Sequence, residues 1–158
     1  MTTLHKNAQI VQELLKEKGY DNEVKELPDS TRTAQEAADA LGCDVEQIAK
    51  SIVFKLREAD QALLVIASGS NRIHEKRVGK IIGDALDKTD ATFVREATSY
   101  PIGGVSPVVQ NPNVRVLIDE DILQYDSIWG AAGHPKAVFN MTPDELVSLT
   151  GGEVVSVT

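Results

Sequence analysis

The spacing of apolar and polar residues predicts a helix and a strand at the start of the chain. The positions from Leu4 to Lys18 trace one apolar face at intervals of three to four residues, and Gly19 follows them. This pattern is typical of an amphipathic helix that ends at a glycine. Residues 22–27 then read as a short strand that stops before Pro28.

Two helix starts are predicted next. Thr33 precedes Glu36 by three positions, and Asp44 precedes Gln47 by the same interval. In such a capping box, the first side chain accepts a hydrogen bond from a free helix amide and the second side chain accepts one from the cap residue's own amide. The predicted helices cover residues 33–42 and 44–49.

The rest of the chain alternates between extended and helical patterns. Residues 51–57 and 62–68 are rich in Ile, Val and Leu and flank a charged turn, which predicts a hairpin of buried strands. Further predicted elements are a helix over 71–83, strands over 91–95, 114–119, 127–129, 137–140 and 153–157, an irregular loop over 100–112 and a helix that starts at Thr142. Strands and helices without strict alternation predict the α+β class. Because there is no linker or repeat, we expect one domain over residues 1–158.

Composition and charge narrow the classes of function. Aromatic residues make up 4% of the chain, so the core must be aliphatic, and the net charge is −8. An acidic chain is a poor DNA-binding protein, although it could hold the end of an RNA with a few local cations. No apolar run approaches the ~20 residues that cross a bilayer, so we expect no membrane association. One cysteine, Cys43, and an N-terminus unlike a signal peptide favour the cytoplasm.

The common catalytic motifs are missing from the sequence. Its three histidines are isolated, and no CxxC or HxxxH spacing occurs, so we expect neither a metal nor another cofactor. The chain has neither a phosphate-binding P-loop nor a GxSxG nucleophile turn. Two glycine-rich loops remain, at residues 103–107 and 130–135. Each is either an ordinary tight turn or a set of amides that could bind a phosphate or an oxyanion.

Five cations also have two interpretations each. Lys50 adjoins the buried strand at Ser51, where it either needs an anionic partner or extends its stem along the surface. A second group of cations outnumbers the single Glu75 in its segment, and it forms either a patch for an RNA backbone or a solvated helix face. This group consists of Arg72, Lys76, Arg77 and Lys80.

Three stretches resemble one known family. In order and spacing they are similar to segments of the YbaK/prolyl-tRNA-synthetase-associated editing family. The stretches are residues 30–42 with 47–54, residues 100–107, and residues 133–146 with 149–152. The resemblance covers roughly residues 4–157. It implies a mixed sheet, partly curled into a barrel, with helices around it and a pocket between loops. It also implies a free-standing deacylase that removes a small wrong amino acid from the acceptor end of a tRNA, usually that for proline.

The resemblance assigns roles to particular residues. It implies catalytic roles for Lys50, which would contact the terminal adenosine and its phosphates, and for Gly103 and Gly104, whose loop would supply amides near the scissile carbonyl. His134 matches a histidine that shapes the pocket of alanine-specific members. The implied substrate-binding residues are Thr31, Ser51, Val105, Ser106, Pro107, Gly133 and His134.

The chemistry implied by the family needs no protein nucleophile. An aminoacyl ester is already activated, so positioning, an oxyanion site and help from the neighbouring ribose hydroxyl would suffice. Residues 132–135 lack the Ser-Gly-Gly-Lys type of stretch that cysteine-specific members have. This difference argues against cysteine as the amino acid removed and leaves alanine, serine, threonine or a non-protein amino acid open. Prolyl-tRNA synthetase is the implied protein partner. The alternatives are an inactive tRNA-binding module of the same fold and a plain nucleotide-binding protein.

Overall fold

The computed structural model describes residues 4–28 and 33–158. It consists of a mixed sheet with helices on both faces. The α-helices are α1 (Lys6–Glu17), α2 (Ala34–Leu41), α3 (Glu75–Ile82), α4 (Ala91–Thr98) and α5 (Pro143–Thr150). The strands are β1 (Val24–Glu26), β2 (Ile48–Leu56), β3 (Gln61–Ser68), β4 (Leu86–Asp87), β5 (Arg115–Asp119), β6 (Ile128–Ala131), β7 (Ala137–Met141) and β8 (Glu153–Val155). Two short 3-10 turns lie at Val45–Gln47 and Glu120–Gln124. The predicted α+β class is confirmed.

The sheet is mixed, and its strand order is β1-β7-β6-β2-β3-β5-β8, with β4 attached to β2. The predicted hairpin is present, because β2 and β3 pair in antiparallel fashion along eight positions. The β6–β7 and β1–β7 pairs are also antiparallel, whereas β2–β6, β3–β5 and β5–β8 are parallel. The two ends of the described sheet are therefore β1 and β8.

One edge of β2 is only partly paired. Opposite β3, this strand pairs with β6 at Ile48 and Ala49 and with β4 at Lys55 and Leu56. No strand of the described chain pairs with the edge from residue 50 to residue 54. The sheet consequently has a gap beside the middle of its longest strand.

The core lies on both faces of β3, whose residues 63–67 are fully buried. A continuous apolar run is what a strand covered on both faces requires. The main apolar cluster contains buried side chains of α1, α4 and α5, and a second cluster holds Val78 of α3. A third, smaller cluster joins Ala37 and Ala38 of α2 to Ile48.

Two secondary-structure predictions were wrong. Residues 91–95 are the start of α4 instead of a strand, because the Asp90 side chain accepts a hydrogen bond from the amide of Phe93 at 2.8 Å and caps a helix. The helix predicted over 44–49 is a single 3-10 turn, since Ile48 and Ala49 pair with β6. The helix predicted from residue 71 begins only at Glu75, and the short strand β4 was not predicted.

Candidate functional site

A cavity of about 560 Å³ opens at the gap beside β2. Its walls come from α2, from the unpaired part of β2, from the segment before α4, from the loop after Tyr100 and from β6. The lining residues are Thr33, Ala34, Ala37, Ile48–Phe54, Lys88, Thr89, Val94, Ile102, Gly103, Val105, Trp129, Gly130, Ala131 and Val138. The volume lies within the range of small-molecule sites, and most of the lining is aliphatic.

The gap gives the cavity two sides. Paired residues on neighbouring strands lie on one face of a sheet, so Ile48 and its partner Trp129 share a face with Lys50, two positions further along β2. Ser51 points to the opposite face, as do Ala49 and Val53, which belong to the main apolar cluster. We call the side with Lys50 and Trp129 the outer side and the side with Ser51 the inner side.

The backbone of β2 faces the gap at every second residue. The hydroxyl of Thr89 donates a hydrogen bond to the carbonyl oxygen of Val53 at 3.0 Å, so this carbonyl points away from β3. Peptide groups alternate in direction along an antiparallel pair, which places the N–H and C=O of Ser51 at the same open edge. The cavity therefore has a wall of main-chain polar groups as well as apolar side chains.

Lys50 is half-buried at the outer side of the gap. Its Nζ lies 3.4 Å from the carbonyl oxygen of Gly69 and donates to it. Burial lowers the pKa of Lys50, the negative charge of Asp119 raises it, and the positive charge of Arg72 lowers it further. Of the two interpretations from the sequence, the structure favours a partly desolvated ammonium group with an anionic side chain nearby.

Asp119 organises the turn that contacts Lys50. Its carboxylate is 1% exposed and accepts hydrogen bonds from the amide of Ser68 at 3.0 Å, the side chain of Asn71 at 2.8 Å and the amide of Asp121 at 3.0 Å. These bonds join both ends of residues 68–71, the turn that carries the carbonyl of Gly69. A buried carboxylate with several donors is strongly held in place.

The inner side contains a polar group without a partner. The hydroxyl oxygen of Ser51 is buried and has no hydrogen-bond partner among the described residues. Such a group costs free energy unless a ligand or water bonds to it. Because Ser51 lines the cavity, this buried hydroxyl lies close to any molecule that binds there.

The loop after Tyr100 is fixed by its own hydrogen bonds. The buried hydroxyl of Tyr100 donates to the carbonyl of Val108, and burial raises the pKa of this tyrosine to about 12. The amide of Gly104 donates to the carbonyl of Pro101 at 3.0 Å. That amide is therefore engaged, and the residues of this loop that line the cavity are Ile102, Gly103 and Val105.

The two glycine-rich loops lie against each other. A side chain at Gly104 would approach the backbone of His134 to 2.9 Å, and one at Gly130 would lie 3.5 Å from Pro107. His134 stands behind the first loop, where its ring centroid is 4.1 Å from that of His5 and its Nδ1 accepts the amide of Lys136 at 3.1 Å. The second loop thus supports the first, and its residues Gly130 and Ala131 also line the cavity.

Some of the predicted site residues line the cavity and others do not. Lys50, Ser51, Gly103 and Val105 line the cavity. The remaining described members of the substrate-binding prediction are not among the lining residues. These members are Ser106, Pro107, Gly133 and His134, together with the predicted catalytic residue Gly104. Thr31 lies outside the described residues. The four predicted RNA-backbone cations, Arg72, Lys76, Arg77 and Lys80, are exposed on or just before α3.

Several lining residues were not predicted from the sequence. Trp129, Lys88 and Thr89 reach the cavity from β6 and from the segment before α4. Asp119 was also missed, although it is a buried charge next to the predicted lysine. A single tryptophan in a chain poor in aromatic residues was the only available signal, and it did not indicate a position in space.

Other kinds of site find little support in the described part of the chain. No group of three or more metal-ligating side chains occurs there. No described helix has the length and apolar character that a membrane crossing requires. Burial, assisted by the charge of Asp44, raises the pKa of Cys43, so this thiol lacks the environment of a reactive thiolate.

Comparison with known proteins identifies the family. The model of the aminoacyl-tRNA editing domain matches residues 28–149, which include every element of the cavity. The chain therefore belongs to the aminoacyl-tRNA editing domain family, and its enzyme class is that of the aminoacyl-tRNA deacylases. The family resemblance and the enzyme class expected from the sequence are confirmed.

Individual relatives agree with this assignment. A solved structure described as a candidate trans-editing enzyme for prolyl-tRNA synthetase is 42% identical, covers 99% of both chains and gives a TM-score of 0.92. Protein YwhH of Bacillus subtilis is 29% identical over 85% of each chain. EbsC of Enterococcus faecalis, named as a candidate Cys-tRNA(Pro)/Cys-tRNA(Cys) deacylase, is 24% identical over 80% of this chain and 77% of its own length. Proline–tRNA ligases match too, but the match spans only 16–20% of those longer enzymes.

Proposed function

We propose that the protein hydrolyses mischarged tRNA for proline in trans and releases a small wrong amino acid, namely alanine, serine, threonine or cysteine. The observation that carries this proposal is the two-sided cavity. A half-buried ammonium group stands on its outer side, and a small aliphatic chamber with one unpaired hydroxyl lies on its inner side. An aminoacylated RNA end has the matching parts, since a phosphorylated nucleotide is joined to a small amino acid by one ester.

The inner side sets the size limit in this proposal. Val53, Val94 and Val105 bring branched side chains to the wall, and the hydroxyl of Ser51 is the unpaired polar side-chain atom there. A chamber of this kind favours small side chains, but one methylene changes binding by only about 1–3 kcal/mol. The proposed substrates therefore form a group of small amino acids instead of a single one.

Hydrolysis proceeds in this proposal without a covalent enzyme intermediate. Water attacks the ester carbonyl carbon, the bond from that carbon to the ribose oxygen breaks, and the proton lost by water moves to that ribose oxygen, which becomes a free hydroxyl. The amides of Gly103 and Val105 are placed to stabilise the negative charge that develops on the carbonyl oxygen. Lys50 binds the phosphates of the terminal nucleotide and holds the ester at the gap.

The cations of α3 extend this path along the RNA. Arg72 lies close enough to Lys50 to influence its pKa, and the exposed residues Lys76, Arg77 and Lys80 continue from it along the helix. A short row of cations suits an acidic protein that contacts a few phosphates near the RNA end. We propose prolyl-tRNA synthetase as the source of the substrate, in line with the relatives described above.

The test is deacylation of a panel of tRNAs by the wild-type protein and two lysine variants. We expect turnover of tRNA for proline that carries a small wrong amino acid, and loss of at least about 100-fold in kcat/KM for Lys50→Ala, which corresponds to about 2.7 kcal/mol. Lys55→Ala is the matched control, because Lys55 lies on the same strand, is paired with Asp60 at 3.2 Å and does not line the cavity. Wild-type protein that clears no member of the panel would refute the function, and equal activity of both variants would refute the role of Lys50.

A further inference from the structure

Trp129 is the largest aromatic side chain at the cavity and has no role in the chemistry described above. It is the one tryptophan of the chain, lies on β6, and is only partly buried. One part of its side chain packs against the small cluster formed by α2 and Ile48. The remainder contributes to the outer wall of the cavity.

Cations stand on both sides of this tryptophan. Lys25 of β1 is exposed, and its Nζ lies 5.7 Å from the centroid of the indole ring, within the range of a cation–π contact. Lys50 shares the outer face of the sheet and belongs to the neighbouring strand. Strand spacing and rise place the α-carbons of Trp129 and Lys50 roughly 8 Å apart, so the two side chains are near enough to contact one bound nucleotide.

An aromatic ring between two cations suits a nucleotide better than it suits an amino acid. A nucleobase stacks on a tryptophan through its flat face, while its phosphates pair with nearby lysines. The inner side of the cavity offers no comparable surface, because the residues that line it there are aliphatic or small. The base and the amino acid of one substrate would thus lie on opposite sides of the gap.

We propose that Trp129 is the stacking platform for the terminal adenine of the tRNA, with Lys50 on one side for its phosphate and Lys25 on the other. This inference rests on the proposed function, because it assigns the base of the same substrate. It explains why the wall of the cavity that holds Lys50 also contains a large, partly exposed aromatic residue in a chain with few of them. The platform accounts for affinity for the RNA end and leaves the choice of amino acid to the inner side.

Fluorescence of the single tryptophan tests the contact directly. We expect adenosine 5′-monophosphate to change the emission of Trp129 in a saturable manner, and ribose 5-phosphate, which lacks the base, to leave it unchanged. Lys50→Ala should weaken the titration with the nucleotide but preserve the change in emission at saturation. A wild-type protein whose emission stays constant with the nucleotide, or changes equally with both probes, would overturn the proposal.

Deacylation kinetics separate this inference from the proposed function. We expect Trp129→Leu to raise KM for the aminoacylated tRNA about 5- to 150-fold, which corresponds to the 1–3 kcal/mol of one base stacked on an aromatic ring, with kcat little changed. Trp129→Phe should restore most of the affinity. Phe93→Leu, at a half-buried aromatic residue of α4 outside the cavity lining, controls for lost packing. If the wild type deacylates the tRNA but Trp129→Leu matches Phe93→Leu in KM, the platform is wrong and the function stands.

Discussion

The contact between the two glycine-rich loops predicts a large effect for Gly104→Ala. A β-carbon at Gly104 would lie 2.9 Å from the N, Cα and C atoms of His134, all of which belong to the backbone. Ordinary contacts of this kind begin at 3.4 Å, so the loops must separate by at least about half an ångström. No flexible side chain is present at this contact to absorb the shift.

The shift has consequences for both stability and catalysis. Overpacking of a tight contact costs about 1–3 kcal/mol of unfolding free energy. The same movement displaces Gly103 and Val105, whose amides face the cavity wall in the proposed mechanism. A misplacement of 1 Å costs roughly 100-fold in rate, so a shift of about half that size predicts a fall of about 10-fold in kcat.

The assay compares Gly104→Ala with Gly151→Ala by urea unfolding and by deacylation of the tRNA that the wild type clears best. Gly151 ends α5 with a φ of 63°, its β-carbon would meet nothing within 4 Å, and it does not line the cavity. Its substitution should cost about 1–2 kcal/mol in stability through the left-handed backbone and should leave kcat unchanged. Equal kcat for the two folded variants would refute the argument that this contact positions the catalytic amides.

Two further predictions concern groups beside the cavity. Burial lowers the pKa of Lys50 below 10.5, and the negative charge of Asp119 opposes this shift. We therefore expect kcat/KM, corrected for uncatalysed hydrolysis, to fall as pH rises through the lowered pKa, and Asp119→Asn to move that fall to still lower pH. A pH profile that Asp119→Asn leaves unchanged would contradict this coupling. Tyr100→Phe should lower the unfolding free energy by about 1–2 kcal/mol in urea, since the buried carbonyl of Val108 loses its donor. Because the pKa of Tyr100 is raised to about 12, the stability that its neutral hydroxyl provides is fully present below pH 10 and is lost as pH rises from 10 to 12. Urea unfolding of the wild type at several pH values would detect this loss.

Local signals in the sequence were sufficient for the elements that have strong caps. The capping box at Thr33 forms as predicted, and the helix predicted from Thr142 starts there with a box of the same kind, because these hydrogen bonds join residues only three positions apart. Residues 91–95 were misassigned since Thr92, Phe93 and Val94 have strand-like side chains. The cap at Asp90 and the burial of Val94 and Thr98, four positions apart, favour the helix instead.

The candidate site was predictable only in part. Lys50 and the loop containing Gly103 could be identified because their neighbours in the sequence resemble a known family. Trp129 and Asp119 are far from Lys50 along the chain and approach it only through the pairing of β2 with β6 and of β3 with β5. A single sequence does not indicate such pairings, so the residues that depend on them could not be assigned.

The gap beside β2 connects the stability of the fold to its chemistry. A paired strand at residues 50–54 would satisfy the peptide groups of Ser51 and remove the passage between the two faces of the sheet. Leaving that edge open exposes a main-chain donor and acceptor at the point where the proposed substrate crosses from the outer to the inner side. In the proposed function, the ester of an aminoacylated RNA end joins the part held outside to the part held inside, so we expect the ester to lie at the gap. Residues on the two sides should therefore act separately, with Trp129 and Lys50 setting affinity for the RNA end and Ser51 and Val105 setting the choice of amino acid.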